Sequence, residues 1–368
     1  MTEDARPRWG RRLLLALGLV VAVGVATVVV DVMRPDRPVY EVAEGPDVPL
    51  SICSAFASPD GSDRWPGTAE EPFQTVNRLL ATLPAGDTGC LTTGEYVEDE
   101  LEVLRAGTTL RSAPEARATL YLDTLIIPVS AEDVTVSDLS IVGGDDSLTV
   151  VAIGDGFTLE RNDISNDDAG TSCVLVGAQD HRTEAGAIRD NVIHSCGQDG
   201  NHLHHGIYAQ NVGPDDDGTG LLIEGNVIYD VAGYAVQLYP ESIGAVVRRN
   251  VIDGGGRSIR GGIVLDGEVS RDHLIEENVI GRARTGAIVQ RTGTGHESRR
   301  NCFWDNARNV VGDDIDSEGD REDERCWETA QHWTETGSDA LAGDRDDKEE
   351  DVLCRLLEED PAAAGGQA

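Results

Sequence analysis

The stretch NHLHHGIYAQ, Asn201 to Gln210, holds His202, His204 and His205, three of the chain's eight histidines. Imidazoles exchange protons near neutral pH and ligate metals, so such a cluster is a candidate for chemistry. His202 and His204, two apart, could chelate a metal on an extended segment. No third ligand is identifiable, and no metal site is assigned. Further along, YAVQLY, GGIVLD and GAIVQR place Tyr239, Asp266 and Arg291 at equivalent points of successive short apolar stretches. His, Tyr, Asp and Arg together suit proton transfer beside a carboxylate. Arginine would pair with the carboxylate, while Tyr or His would move a carbon-bound proton or protonate a leaving oxygen. The plainer readings are incidental loop histidines and an Asp266–Arg291 cross-strand ion pair worth at most about 1 kcal/mol.

Whether these residues meet depends on the elements that carry them. The triplet Asn-x-(Ile/Phe) recurs at Asn162, Asn191, Asn226, Asn250, Asn278 and Asn301, with a degenerate copy beginning at Asp138. Between triplets runs an alternating stretch such as HGIYAQ, and before them one such as GLLIEGN or DHLIEEN. Each unit therefore carries about three short strands separated by Gly, Asn and Asp turns. Strands this short bury no face alone, but stacked units share one continuous core. At the same turn of each coil the asparagines would hydrogen-bond up the stack as an internal ladder.

Alternation assigns the sides of the strand after the histidines. Ile207, Ala209, Val236, Leu238, Ile263, Leu265 and Ile288 face in, with Gln290 awkwardly among them. Tyr208, Gln210, Gln237, Tyr239, Asp266 and Arg291 face out, and Gln210, Tyr239, Asp266 and Arg291 form one column. The expected catalytic set is His204, His205, Tyr239, Asp266 and Arg291. The expected substrate-binding set is His202, Tyr208, Gln210 and Gln237.

The repeat resembles the right-handed parallel β-helix of the pectate-lyase-like superfamily. The entry segment Ala55–Tyr96 also looks like that of many such proteins. Its helix, from about Pro72 to Leu83, carries Phe73, Val76, Leu79, Leu80 and Leu83 at helical spacing and would cap the open end of the solenoid. The resemblance covers roughly Ser51 to Asn309. Within it, GIY at Gly206 and QLYP at Gln237 are similar to a group of exported actinobacterial-type β-helix proteins. The resemblance implies a fold and no single reaction, because this fold carries lyases, hydrolases, epimerases and adhesins. The Arg-Ile-Lys motif of polygalacturonases and the Asp-Pro-His motif of mannuronan epimerases are absent. Lys348 is the only lysine, so a lysine base within the solenoid is excluded.

Composition agrees with stacked β-structure: 42 glycines and 4% aromatics among 368 residues. A formal charge of −37 repels nucleic acid and favours cationic partners or divalent ions. No organic cofactor is indicated. Asp215 to Asp217 could bind calcium, although in so acidic a chain the solvated-loop reading weighs more. Arg6, Arg8, Arg11 and Arg12 precede the uncharged run Leu13–Val30, which reads as an uncleaved signal anchor with the remainder outside the cell, or as a cleaved signal in a secreted protein. The expected organisation is a cytoplasmic 1–12, a transmembrane helix 13–30, a linker 31–50, the β-helix 51–311 and an acidic cap with disordered tail 312–368. Seven cysteines suggest Cys53–Cys90, Cys173–Cys196 and Cys302–Cys326, with Cys354 left over.

Two functions follow from the residues and the resemblance. One is a membrane-anchored, extracytoplasmic protein acting on an acidic polysaccharide by elimination, epimerisation or hydrolysis. The other is a non-catalytic surface protein that binds glycan or coats the cell. Oligomeric state is not legible.

Overall fold

A computed structural model describes residues 49–214, 220–255, 258 and 260–326. The anchor run, Asp215–Asp217, Trp327, Trp333, Cys354 and the tail lie outside the described residues. Among the described residues no helix is long and apolar enough to cross a membrane.

Three parallel sheets of 11, 10 and 9 strands account for the fold, and the chain visits them in turn. One coil shows the plan. Leu222–Glu224 belongs to the first sheet, Val227–Val231 to the second and Tyr234–Leu238 to the third. Register is set by one inward residue per strand. In the second sheet Ile141, Ile164, Ile193, Ile228, Ile252, Ile280 and Phe303 stack directly above one another. All are essentially inaccessible to water. A one-residue slip would turn this column out to solvent, so burial holds the register.

The corner between first and second sheets is two residues long. Its first residue is left-handed in coil after coil: Arg161, Asp190, Gly225, Arg249, Glu277 and Arg300. For a residue with a Cβ that conformation costs about 1–2 kcal/mol. The asparagine that follows offsets it. Asn250 Oδ1 accepts from the backbone N–H (2.9 Å) and side-chain amide (3.0 Å) of Asn226. Its own amide donates to Ile223 O, Arg248 O and Asn278 Oδ1. The ladder runs unbroken from Asn162 to Asn301 and ends on Asp320 Oδ1. The degenerate copy is placed one residue differently from expectation. Ile141 pairs with Ile164, so Leu139 occupies the asparagine's position and Asp138 the left-handed one. Asp138 is chosen for that corner by charge, since Arg161 Nε donates to it at 2.7 Å.

Helix α1, Val76–Thr82, is shorter than the expected Pro72–Leu83. Phe73 bridges to Ala57 instead, and Asp63 accepts from the N–H groups of Gln74 and Thr75. Thr75 then caps the helix by accepting from the Arg78 N–H. Val76, Leu79 and Leu80 join the main core cluster. All three expected disulfides form, with Cα separations of 5.6, 5.4 and 5.5 Å. The stack continues past residue 311, because Ile315–Glu318 and Arg321–Glu322 still pair in parallel with the previous coil.

Candidate functional site on the outer face of the third sheet

The third sheet carries the residues that the alternation picked out. Ala209 pairs with Leu238, Leu238 with Leu265, and Leu265 with Gln290. The next residues, Gln210, Tyr239, Asp266 and Arg291, therefore share one outward column. One position back in the outward sense, Tyr208 faces Gln237. Gln290 keeps the inward parity but lies near the stack end. There its amide donates to Gly293 O and accepts from the Asp314 N–H.

Within the column the polar groups are committed to different degrees. Asp266 Oδ1 accepts from the Gly267 N–H (2.9 Å) and the Thr292 hydroxyl (2.8 Å), and Oδ2 lies 3.5 Å from Arg291. Arg291 donates a second N–H to the Tyr234 hydroxyl at 3.0 Å, and its guanidinium lies over that ring. Gln210 donates to Gly177 O. Tyr239 is exposed. Burial pushes the half-buried Tyr208 phenol upward, and Tyr239 beside it adds to the shift. Tyr208 is thus a neutral hydroxyl, suited to donating.

The histidine cluster separates into three environments. His202 is exposed. His204 Nδ1 accepts from the Gln198 N–H at 3.0 Å, and Nε2 lies 2.8 Å from the Asn201 side-chain amide. Burial lowers its pKa, with Asp146 opposing. Such a ring fastens the 197–206 loop. His205 is buried rather than part of an exposed loop. Its Nδ1 accepts from the Tyr234 N–H at 3.1 Å, leaving the ring proton on Nε2. Desolvation, then the neighbouring imidazoles, push it down to about 3, so it stays neutral.

Tyr234 is the site residue that sequence reasoning missed. Alternation back from Val236 turns it inward. Ala235 and Val236 both enter the main core, which breaks the alternation at the corner. Tyr234 then packs instead with the outward Val264 and Val289. Its ring lies alongside His205 at 6.0 Å and its hydroxyl holds Arg291. The result is a strip with Tyr208 and Tyr239 at its surface, Tyr234 buried beneath, and one arginine fixed at its end. No group of three or more His, Cys, Asp or Glu fit to hold a metal occurs among the described residues.

No family model matches the chain. No curated protein matches it. Solved structures do. A pectate lyase, Pel9A, aligns with TM-score 0.56 and 11% identity over 74% of this chain and 81% of its own. XylC in complex with xylose aligns with TM-score 0.55 and 12% identity over 73% and 68%. At such identities the likeness is one of fold.

Proposed function

From its right-handed parallel β-helix fold, that of the pectate-lyase-like superfamily, we propose that the chain acts on an acidic polysaccharide along the outer face of the third sheet. The observation that carries this reading is the register-locked column Gln210–Tyr239–Asp266–Arg291 beside Tyr208 and Gln237. Tyrosine faces and amides suit sugar rings and hydroxyls, and Arg291 suits a uronate carboxylate. A fixed arginine matters more here than elsewhere, because the net charge of −37 otherwise repels a polyanion. The aligned structures, a pectate lyase and a xylose complex, are in keeping with a saccharide ligand. The reaction type is elimination, epimerisation or hydrolysis, with Tyr208 or Tyr239 as the proton donor. On the same reading α1 caps the first coil, and 13–30 anchors the chain with its β-helix outside the cell.

A second reading, binding without turnover, draws on one observation: both His204 and His205 use ring nitrogens to hold backbone. The test offers the full chain pectate, alginate and glycosaminoglycans. Unsaturated uronate absorbance and reducing ends report turnover, and co-sedimentation reports binding. Turnover of any polymer supports the first reading, and binding without products supports the second. Neither turnover nor binding on all three overturns both.

A further inference from the structure

The second sheet bears a different constellation on its own outer face. His194 lies on the strand Val192–Cys196, and Asp163 lies one coil earlier on Asp163–Ser165. His194 Nε2 is 2.9 Å from Asp163 Oδ1, and His194 Nδ1 is 3.1 Å from Ser195 Oγ. One tautomer satisfies both contacts. The Nε2–H donates to the carboxylate, and Nδ1 accepts the serine hydroxyl proton. Hydroxyl, imidazole and carboxylate then stand in the order of an acyl-transfer triad, with the ring nitrogens exchanged relative to the usual arrangement.

The surroundings hold this geometry. Ser195 is left-handed, φ 49°, as is Asp230 at the equivalent place in the next coil. The turn carries Oγ back towards the preceding ring. Ser195 O accepts from the Asp168 N–H, and Cys196 is bridged to Cys173, so the serine is fixed on its C-terminal side. The Tyr229 ring stacks on His194 at 5.1 Å and 10°, which fixes the imidazole plane. Asp230 Oδ2 also faces the serine, but at 3.5 Å, farther than Nδ1. Side-chain exposure of 22% for His194 and 34% for Asp163 leaves the pair open to solvent. Ser195 itself is 7% exposed, so only a small acyl group can reach Oγ.

We propose that Ser195, His194 and Asp163 form a second site, independent of the third sheet, that hydrolyses small carboxylic esters of the acetyl class. Ser195 Oγ bonds to the carbonyl carbon while its proton passes to His194 Nδ1. The tetrahedral adduct expels the alcohol, which leaves with that proton. Water then attacks the acyl-serine, Nδ1 takes its proton and returns it to Oγ, and the acid is released. Asp163 is a positioning residue for the imidazolium.

The test treats the full chain with an alkyl fluorophosphonate, maps the adduct by peptide mass, and follows p-nitrophenyl acetate hydrolysis. An adduct on Ser195 is expected, together with loss of about 10²–10⁴-fold in rate for Ser195→Ala and His194→Gln. Asp163→Asn should lower the rate and also move the acid limb of the pH–rate profile downward, which a purely structural role would not do. No adduct on wild-type Ser195, or hydrolysis unchanged in a folded Ser195→Ala, overturns the proposal. Because labelling is read on the wild-type protein, a variant that fails to fold leaves the test intact.

Discussion

The corner between the first and second sheets and the approach to the third sheet are built from the same chain with opposite economies. From Asn162 to Asn301 each coil spends two residues at the corner, the second an asparagine, and each amide is hydrogen-bonded inside the stack. At the third sheet the approach varies. It spans residues 197–206 in one coil and only 232–233 in the next. The ladder cannot vary because each amide serves two neighbours. The approach loops also bond to neighbouring coils, as His205 does to Ser172 and Tyr234, but through contacts that differ from coil to coil, so they are free to carry different side chains. Uniformity marks what holds the solenoid, and variation marks where function can be placed.

The sharpest way to break that contrast is Asn250→Ala. It strands the Asn226 N–H, removes one acceptor from the Asn226 amide and one donor each from the Ile223 carbonyl and Asn278 Oδ1, and leaves a gap in a dry interior. Unsatisfied buried groups cost about 1–3 kcal/mol each. Partial relaxation brings the expected loss to about 3–5 kcal/mol, read as a lower denaturation midpoint. A loss below about 1 kcal/mol would mean that the ladder is decoration and the Ile column alone carries the coil.

That region was also the part most legible in the sequence. Asn-x-Ile at Asn191, Asn226, Asn250 and Asn278 encodes both the buried amide and the inward isoleucine, so one triplet fixes corner and register together. The outward column was legible for the same reason, as parity counted from Ile207, Val236 and Ile263. Its partners were not. Parity fails at Tyr234 because Ala235 and Val236 both turn into the core. The fates of His204 and His205 depend on N–H groups of Gln198 and Tyr234, which no local pattern announces. Asp163 and His194 meet across a whole coil. Asp138 was misplaced by one residue because leucine fills the asparagine's place there.

Within the ladder corner, Asp190 offers a finer test. Burial pushes its carboxyl up to about 6, with Glu224 and Glu160 adding to the shift and Arg189 and Arg161 opposing it. Gly225 leaves the space its Oδ1 occupies, 2.4 Å from where a Cβ would stand. A raised carboxyl means that the fold binds the proton more tightly than the unfolded chain. Its contribution is therefore fully present below the ordinary value of 3.8 and is lost as pH rises through about 6. At neutral pH the charged form costs on the order of 1–3 kcal/mol. Asp190→Asn should raise the melting temperature at pH 7 and flatten the stability profile between those two values. Melting curves across pH check both, and an unchanged slope would place the carboxylate in water.

The smallest stability effects belong to the third-sheet face, and there the side chains are not equivalent. Tyr239 is exposed, and Arg291 is largely exposed, its ion pair with Asp266 a long one at 3.5 Å and only the Tyr234 hydroxyl buried beneath it. Tyr239→Phe and Arg291→Ala should each change stability by less than about 1 kcal/mol. If the face is an active site, the same variants should cut turnover on the responsive polysaccharide by about 10²-fold or more. Asp266→Asn is a poorer probe, because its Oδ1 holds the Gly267 N–H and the Thr292 hydroxyl. His204→Ala is poorer still, since it releases Gln198 and loosens the loop regardless of function. The pair Tyr239→Phe and Arg291→Ala therefore carries the decision. Unchanged melting with lost turnover would make this face the site. Unchanged melting with full turnover would leave the column as surface and move the search to the second sheet.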